Sequence, residues 1–249
     1  MWFENFGNVI SDLFQKKRTL NLNGYVDWHC HILPGVDDGV RTLDDSLAVL
    51  ARYEQAGIAE AWLTPHVMED IPNTPAILHE VFDKLCSAYH GTVKLHLASE
   101  NMIDTLFSAR LSRGEVLPIG TEGDTLLVET SYFNPPIALR DTILEVKSQG
   151  FKPLLAHPER YVYIQSLDEY RRLKDVGIEM QLNLMSLAGY YGQEVHRKAL
   201  MLLDNDMYGR TGSDLHRLQH IDVISNMKLS ASTYERLTRI LLKNQTDNH

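Results

Sequence analysis

Histidine and carboxylate side chains recur in this sequence at spacings that suit metal binding. In the segment VDWHCHILPGVDDG, two histidines stand two residues apart where an apolar run meets a turn. Residues two apart on a strand point to the same side, so Asp27, His29 and His31 are expected to share one face. Such a pair of imidazoles could bind one metal ion, and ordinary histidines in a turn are the alternative interpretation.

Further metal-ligand candidates follow other short apolar segments, which read AWLTPH, LHLASE, LLVET, LLAHPER and GRTGSDLH. Each candidate stands at the carboxyl end of a predicted strand or in the turn after it. In a parallel barrel these ends face one mouth, so the side chains are expected to converge there. Together with the first pair, the candidate ligands are His29, His31, Asp38, His66, Glu100, Glu129, His157, Asp214 and His216.

The composition of this ligand set indicates the kind of metal site. Five imidazoles and four carboxylates exceed the roughly four ligands that one tetrahedral zinc ion takes. They suit two or three divalent ions bridged by a carboxylate. Because the set contains no thiolate, manganese, iron and zinc are the candidate metals. Clustered ions of this kind lower the pKa of a bridging water and bind phosphoryl oxygens, so the residues predict a multinuclear hydrolase of phosphate esters.

Arg160 is the candidate residue for binding a phosphate group. It lies three residues after His157, and a guanidinium group matches phosphate geometry and keeps its charge. An ion pair with Glu159 is the alternative interpretation. Arg217 is a second, weaker candidate on the same reasoning.

Alternating strand and helix candidates position these residues from residue 22 onward. Thr42 suits the start of a helix and Gly57 its end, and Thr74 with Pro75 suits the start of the next. The alternation predicts parallel strands joined by right-handed crossovers, closed into a barrel, with an open doubly wound sheet as the alternative. The predicted strands are 24–31, 58–64, 93–99, 125–130, 152–156, 178–184 and 207–212. After the first two helices, the predicted helices are 101–112, 137–149, 167–176, 193–204, 217–228 and 231–243.

Length, charge and cysteine usage indicate a single globular domain. The chain has 249 residues and a formal net charge of -9, and its one basic tract is short, which argues against nucleic-acid binding. Cys30 and Cys86 lack CxxC spacing and are expected to be reduced thiols in a cytoplasmic protein.

Residues 1–22 are expected to form an amphipathic helix beside a domain that spans residues 23–249. Apolar side chains between Trp2 and Phe14 recur at helical spacing. Acidic residues interrupt the apolar run, so neither a signal peptide nor a membrane span is expected. The helix is expected to pack on the domain or on another subunit of a homo-oligomer, with peripheral membrane contact through residues 1–18 as the alternative.

The motifs together resemble a known family. VDWHCHILPGVDDG, LTPH, ASE, LLVET, LAHPER and GSDLH occur in the order typical of the polymerase-and-histidinol-phosphatase (PHP) superfamily. More narrowly, residues 24–225 resemble the bacterial manganese-dependent protein tyrosine phosphatases of capsular and exopolysaccharide loci. The resemblance implies an α/β fold, a distorted seven-stranded TIM-like β/α barrel that holds three divalent ions, with manganese expected and iron or zinc as alternatives.

The resemblance also implies a role for each residue. One ion would be bound by His29, His31, Glu100 and Asp214, and Glu100 would bridge to a second ion bound by Glu129 and His157. The third would be bound by Asp38, His66 and His216. Arg160 and Asp214 would act in catalysis, and Arg160 would bind the substrate phosphate. Family members often carry a second phosphate-binding arginine after GSDLH, and here only Arg217 in RLQHID is near.

The implied activity is hydrolysis of phosphotyrosine by a metal-bound hydroxide. The implied substrate is a phosphotyrosine-bearing protein, a bacterial tyrosine kinase that regulates capsular or exopolysaccharide synthesis. The sequence contains no Cys-x5-Arg motif that would supply a cysteine nucleophile. A small-molecule phosphatase such as histidinol phosphatase, a phosphodiesterase and a non-catalytic metal-binding scaffold are the alternatives.

Overall fold

A computed structural model describes residues 17–246 of the chain. The strands are β1 (Arg18–Thr19), β2 (Val26–Cys30), β3 (Glu60–Leu63), β4 (His66–Val67), β5 (Lys94–Leu97), β6 (Glu100–Met102), β7 (Thr125–Glu129), β8 (Lys152–Ala156), β9 (Glu179–Asn183), β10 (Arg210–Gly212) and β11 (Lys228–Leu229). The α-helices are α1 (Leu43–Ala56), α2 (Pro75–Ala88), α3 (Phe107–Ser112), α4 (Leu139–Ser148), α5 (Leu167–Asp175), α6 (Leu184–Leu187), α7 (Gln193–Asp204), α8 (Leu218–Ser225) and α9 (Ala231–Thr246).

Parallel strands form two sheets that curl around a common interior. One sheet has the order β2-β3-β5, and the other has the order β10-β9-β8-β7-β6-β4. The two sheets meet where the Asp214 amide donates to the His29 carbonyl at 2.8 Å and the His31 amide donates to the Leu215 carbonyl at 2.9 Å. The result is a mixed α/β fold built on a curled, parallel half-barrel, and the short strands β1 and β11 pair antiparallel outside it.

The predicted strands 58–64 and 93–99 appear as β3 and β5, and each is followed by a short strand, β4 or β6, that was not predicted. Pro65 has no amide hydrogen, and β3 stops before it. The chain resumes as β4, which pairs with β6 through His66 and Glu100. The prediction of one closed sheet of seven strands is therefore not confirmed. The helix predicted for 101–112 was wrong at its start, because residues 100–102 form β6 and α3 begins at Phe107.

The prediction that Asp27 shares a face with His29 and His31 was wrong, because the pairing of β2 is irregular. The pairing register of β2 against β3 shifts between Asp27 and Cys30. Asp27 therefore accepts a hydrogen bond of 2.6 Å from Tyr53 in α1, whereas His29 lies against Gln181 of β9. A bulge of this kind changes the side to which following residues point, so strict alternation fails here.

Helix termini agree with the capping signals in the sequence. Thr42 caps α1 by accepting a hydrogen bond from the Asp45 amide, and Gly57 ends the helix with a left-handed φ of 79°. The buried face of α1, which includes Val49, Leu50 and Tyr53, packs into the main apolar core.

Most of the predicted N-terminal helix lies outside the described residues. Residues 18 and 19, within the predicted range 1–22, form β1 rather than helix. Among the described helices, none combines the length and apolar character needed to cross a membrane. Cys30 is buried, Cys86 is exposed, and both are free thiols, as expected.

Candidate metal centre

All nine predicted ligands lie at one end of the curled sheets. His29 is in β2, Glu129 ends β7, His157 directly follows β8, and Asp214 follows β10. His66 and Glu100 begin the short strands β4 and β6 rather than ending longer ones. Seven of the nine side chains are buried, and only Asp38 and His216 are more exposed at the rim.

The innermost group surrounds His29 of β2 and His31, which directly follows β2. The two Nε2 atoms of His29 and His31 lie 3.0 Å apart. Glu100 Oε2 lies 3.2 Å from His29 Nε2 and 3.4 Å from His31 Nε2. Asp214 Oδ1 lies 3.5 Å and 3.4 Å from the same two atoms. Four ligand atoms on three different segments of the chain therefore face one point.

A second group forms around the carboxylate of Glu129. Its Oε1 atom lies 2.8 Å from His66 Nδ1, which is also 3.1 Å from Glu100 Oε2. His157 Nε2 lies 3.0 Å from Glu100 Oε1 and 3.8 Å from Glu129 Oε2. Glu100 thus presents its two oxygens to different neighbours, which is the geometry of a bridging carboxylate.

The third group lies at the rim. Asp38 Oδ1 is 3.4 Å from His66 Nε2 and 3.4 Å from His216 Nε2. The rings of His31 and His216 stack with their centroids 4.0 Å apart. His66 therefore contacts the second group through Nδ1 and the third through Nε2.

The chemistry of these side chains fits divalent cations. Three sets each bring their ligand atoms within 4.8 Å of one another, namely His29, His31 and Glu100; His66, Glu100 and Glu129; and His31, Asp38, His66 and His216. Within residues 17–246, His66 Nδ1, Glu100 Oε2 and Glu129 Oε1 are buried and make no hydrogen bond of acceptable geometry, although the two oxygens lie 3.1 and 2.8 Å from the nitrogen. Buried polar atoms are rarely left so, and a cation bound between them would satisfy all three.

Sequence reasoning missed two residues that orient the imidazoles. Asp37 accepts a hydrogen bond of 2.8 Å from His31 Nδ1 and another of 3.1 Å from the His66 amide. Gln181 Oε1 lies 2.7 Å from His29 Nδ1. Partners of this kind fix which imidazole nitrogen faces a metal. Gln181 carries no sequence signal beyond its polarity, because its contact with His29 arises only in the fold. Asp37 stands directly before the predicted ligand Asp38, which is the one signal that could have found it.

The charged groups shift one another's pKa values strongly. Burial would raise the pKa of Glu100 and of Asp214, but the surrounding imidazoles outweigh it and hold both pKa values well below their usual range. Burial and the charge of His31 oppose protonation of His66, yet Glu100 and Glu129 raise its pKa to about 10. Protons and metal ions therefore compete for the same nitrogen atoms.

The backbone near the ligands is strained and closely packed. His157 and Asp214 have positive φ values of 35° and 51°, a region that non-glycine residues seldom adopt. Two positions that pack against the ligands can hold only glycine. A Cβ atom at Gly39 would lie 2.4 Å from the His31 carbonyl oxygen, and one at Gly212 would lie 2.5 Å from the Cβ of His29. The centre therefore depends on local geometry as well as on ligand identity.

Arg160 connects the centre to an open cleft. Its Nη1 donates a hydrogen bond of 2.8 Å to Asp214 Oδ2 rather than to Glu159, which is buried and accepts from the Asn183 amide. The cleft has a volume of about 510 Å³. Its walls include Asp38, His66, Met68, Ile71, Met102, Glu129, Tyr132, Arg160, Tyr190, Tyr191, His216, Arg217 and His220. Arg217 is exposed and lies at the start of α8.

Comparison with known proteins identifies the family. Residues 25–239 match the family described as capsular polysaccharide synthesis, CpsB/CapC. The chain belongs to the CpsB/CapC family. The resemblance that the motifs indicated is thereby confirmed.

Two relatives of this CpsB/CapC chain have names that state an enzymatic activity. A putative tyrosine-protein phosphatase CapC of Staphylococcus aureus is 26% identical over 199 residues, which cover 78% of this chain and 77% of the relative. The tyrosine-protein phosphatase YwqE of Bacillus subtilis is 27% identical over 199 residues, which cover 78% of each chain.

A solved structure has the same fold. It comes from the crystal structures of YwqE from Bacillus subtilis and CpsB from Streptococcus pneumoniae, described as metal-dependent tyrosine phosphatases. The TM-score is 0.75 at 23% sequence identity, with 89% of this chain and 92% of that chain covered.

We expect Gly212→Ala to lower the metal content of the protein although it removes no ligand. The added Cβ would lie 2.5 Å from the Cβ of His29 and 3.1 Å from Gln181, so His29 must move. Elemental analysis after dialysis against limiting Mn²⁺ measures the effect. Gly150→Ala is the control, because its φ of 90° is strained but no atom of the described residues lies within 4 Å of the new atom. The Gly150→Ala control should lower the melting temperature and leave the metal content unchanged. Full metal content in Gly212→Ala would contradict the packing described.

We expect the apparent affinity for Mn²⁺ to rise with pH. The raised pKa of His66, about 10, keeps its imidazole protonated at neutral pH in the metal-free protein. Metal binding must then displace a proton, so a higher pH favours binding until the pH passes that pKa. Titration calorimetry in buffers of different ionisation enthalpy counts the protons released. A pH-independent affinity with no proton release would contradict the assignment of His66 as a ligand.

Proposed function

We propose that this chain is a metal-dependent phosphomonoester hydrolase that acts as a protein-tyrosine phosphatase. The observation that carries the proposal is the buried cluster of imidazoles and carboxylates, with ligand atoms 2.8 to 3.8 Å apart, which opens beside Arg160 into the cleft. The names of the relatives CapC and YwqE support the same activity.

The nine side chains of the cluster would hold three divalent ions, with manganese the metal we propose. Nitrogen and oxygen donors without thiolate suit manganese, iron or zinc. Bound ions would acidify a coordinated water and neutralise charge on the phosphoryl oxygens. The two curled sheets would together constitute the distorted seven-stranded barrel of the PHP superfamily. Residues 23–249 would form this catalytic unit.

Asp214 and Arg160 would link the metal centre to the substrate. The Oδ1 atom of Asp214 faces His29 and His31, while its Oδ2 atom accepts hydrogen bonds from Arg160 at 2.8 Å and from Asn183 at 2.7 Å. The carboxylate is thus held in one orientation, and Arg160 is anchored beside it. The other N–H groups of Arg160 would bind a phosphate oxygen at the cleft. Arg217, which also lines the cleft, would supply a second positive charge.

The shape of the cleft supports an aromatic phosphate ester carried by a protein. Apolar side chains of Met68, Ile71 and Met102 line it together with tyrosine rings. A phenyl ring could pack among them, and a polypeptide could extend from the open mouth. The substrate we propose is the phosphotyrosine of a bacterial tyrosine kinase of capsular or exopolysaccharide synthesis, which accords with the description of the family.

A substrate panel tests this function. With Mn²⁺ bound, the protein should hydrolyse phosphotyrosyl peptides at least about tenfold more efficiently than histidinol phosphate or a phosphodiester, since about 1.4 kcal/mol of binding to the ring suffices for that ratio. Removal of the metal by a chelator should abolish turnover. Equal or faster hydrolysis of histidinol phosphate would favour a small-molecule phosphatase. Metal-loaded protein that leaves every ester intact would favour a non-catalytic scaffold.

The two arginines should differ in their contributions. Arg160→Ala should lower kcat/KM by about 100-fold, the order expected for one charged donor to a transition state. Arg217→Ala should lower kcat/KM by about tenfold or less, because water screens the charge of an exposed side chain. Both variants should retain metal. Arg172→Ala, an exposed arginine of α5, is the matched control. Full activity of Arg160→Ala would contradict its proposed role.

A further inference from the structure

Two tyrosine rings flank the guanidinium group of Arg160. The Cζ atom of Arg160 lies 4.3 Å from the ring centroid of Tyr132 and 4.2 Å from that of Tyr191. Tyr132 stands on the loop after β7, and Tyr191 stands on the loop before α7. Two segments far apart in the sequence therefore each place an aromatic ring on the same arginine. Contacts at this distance attract the cation to the electron-rich face of the ring.

Hydrogen bonds tie the same group to the metal centre. Nη1 of Arg160 donates to Asp214 Oδ2 at 2.8 Å, and Asn183 Nδ2 donates to that oxygen at 2.7 Å. Asn183 Nδ2 also lies 3.5 Å from the hydroxyl oxygen of Tyr191. Within residues 17–246, the other guanidinium N–H groups of Arg160 make no hydrogen bond, and the side chain lines the cleft. One arm of the guanidinium is thus fixed, and the remaining donors are available.

We propose that Tyr132 and Tyr191 are positioning residues for the phosphate group. Their rings hold the guanidinium plane so that the donors not bonded to Asp214 face the cleft. An unrestrained arginine samples many rotamers, and a group that is already oriented loses less freedom when it binds an anion. This proposal rests on the assignment of the cleft as the phosphate-ester site. It concerns the arginine and its two rings, whereas the proposed function concerns turnover.

The proposed positioning role belongs to the aromatic rings of Tyr132 and Tyr191 and not to their hydroxyl groups. The hydroxyl groups are not needed for a ring to pack on a guanidinium plane, so phenylalanine should replace either tyrosine. Leucine has a similar apolar character but no aromatic face. Comparison of the two substitutions therefore separates the aromatic contact from polarity and from general packing.

The experiment measures the binding of inorganic phosphate to Mn²⁺-loaded protein by titration calorimetry. Tyr132→Leu and Tyr191→Leu should each weaken phosphate binding roughly 3- to 30-fold, the range that a cation–π contact implies. Both should keep the metal content of the unsubstituted protein. Tyr132→Phe and Tyr191→Phe should bind within about twofold of it. If a leucine variant does not fold, Tyr132→Gln or Tyr191→Gln takes its place, because glutamine also lacks a ring.

A double-mutant cycle with Arg160→Ala decides whether the rings act through the arginine. In that background, Tyr132→Leu and Tyr191→Leu should have no further effect on phosphate affinity. Tyr234→Leu is the matched control, because it removes another tyrosine ring, 5.3 Å from the guanidinium carbon of Arg18 on β1. It should leave phosphate affinity unchanged.

Three results would overturn the proposal: unchanged phosphate affinity in the leucine variants, an equal loss in the Arg160→Ala background, or a loss that coincides with loss of metal. The outcome is independent of turnover. If the protein binds phosphate with this dependence on the two rings and hydrolyses no ester, the proposed function fails and the positioning role stands.

Discussion

Burial of opposite charges in a small volume is the constraint on which the rest of this structure depends. Glu100 is fully buried and Asp214 nearly so, and buried carboxylates without compensation destabilise a fold by several kcal/mol each. Imidazoles supply part of the compensation, and their own raised pKa values show how strong the mutual attraction is. Divalent cations would supply the remainder, so metal binding and the stability of this end of the fold are coupled.

The fold meets this constraint with local departures from regular structure. A shift of register in β2 directs His29 and His31 inward while Asp27 hydrogen-bonds outward to α1. Left-handed backbone at His157 and Asp214 points these side chains away from the direction that their strands would give. Such strain persists only where the surroundings fix it, and the backbone bond between the Asp214 amide and the His29 carbonyl is one such restraint. The same features that place the ligands therefore make the centre sensitive to small changes in packing.

Much of this arrangement was predictable from the sequence. Histidines and carboxylates at the ends of apolar segments indicate both metal binding and a position at the carboxyl ends of strands. The positions of the main strands, the caps of α1 and the convergence of the nine residues follow from such patterns. Other features were not predictable. The short strands β4 and β6 lie beyond the predicted strands 58–64 and 93–99, and the bulge in β2 depends on pairing with β3. Gln181 and the rings around Arg160 gain their roles only from contacts between distant segments. Asp37 contacts nearby His31 and also the amide of His66 on another strand.

Anomalous diffraction from crystals of the protein grown with Mn²⁺ would show whether these side chains bind a group of metal ions. Data collected on both sides of the manganese absorption edge locate each ion independently of any assumed ligand set. We predict separate manganese peaks among His29, His66, Glu100 and Asp214, within bonding distance of their nitrogen and oxygen atoms. Peaks found only elsewhere on the protein, or a cluster of these side chains with no manganese among them, would contradict this prediction.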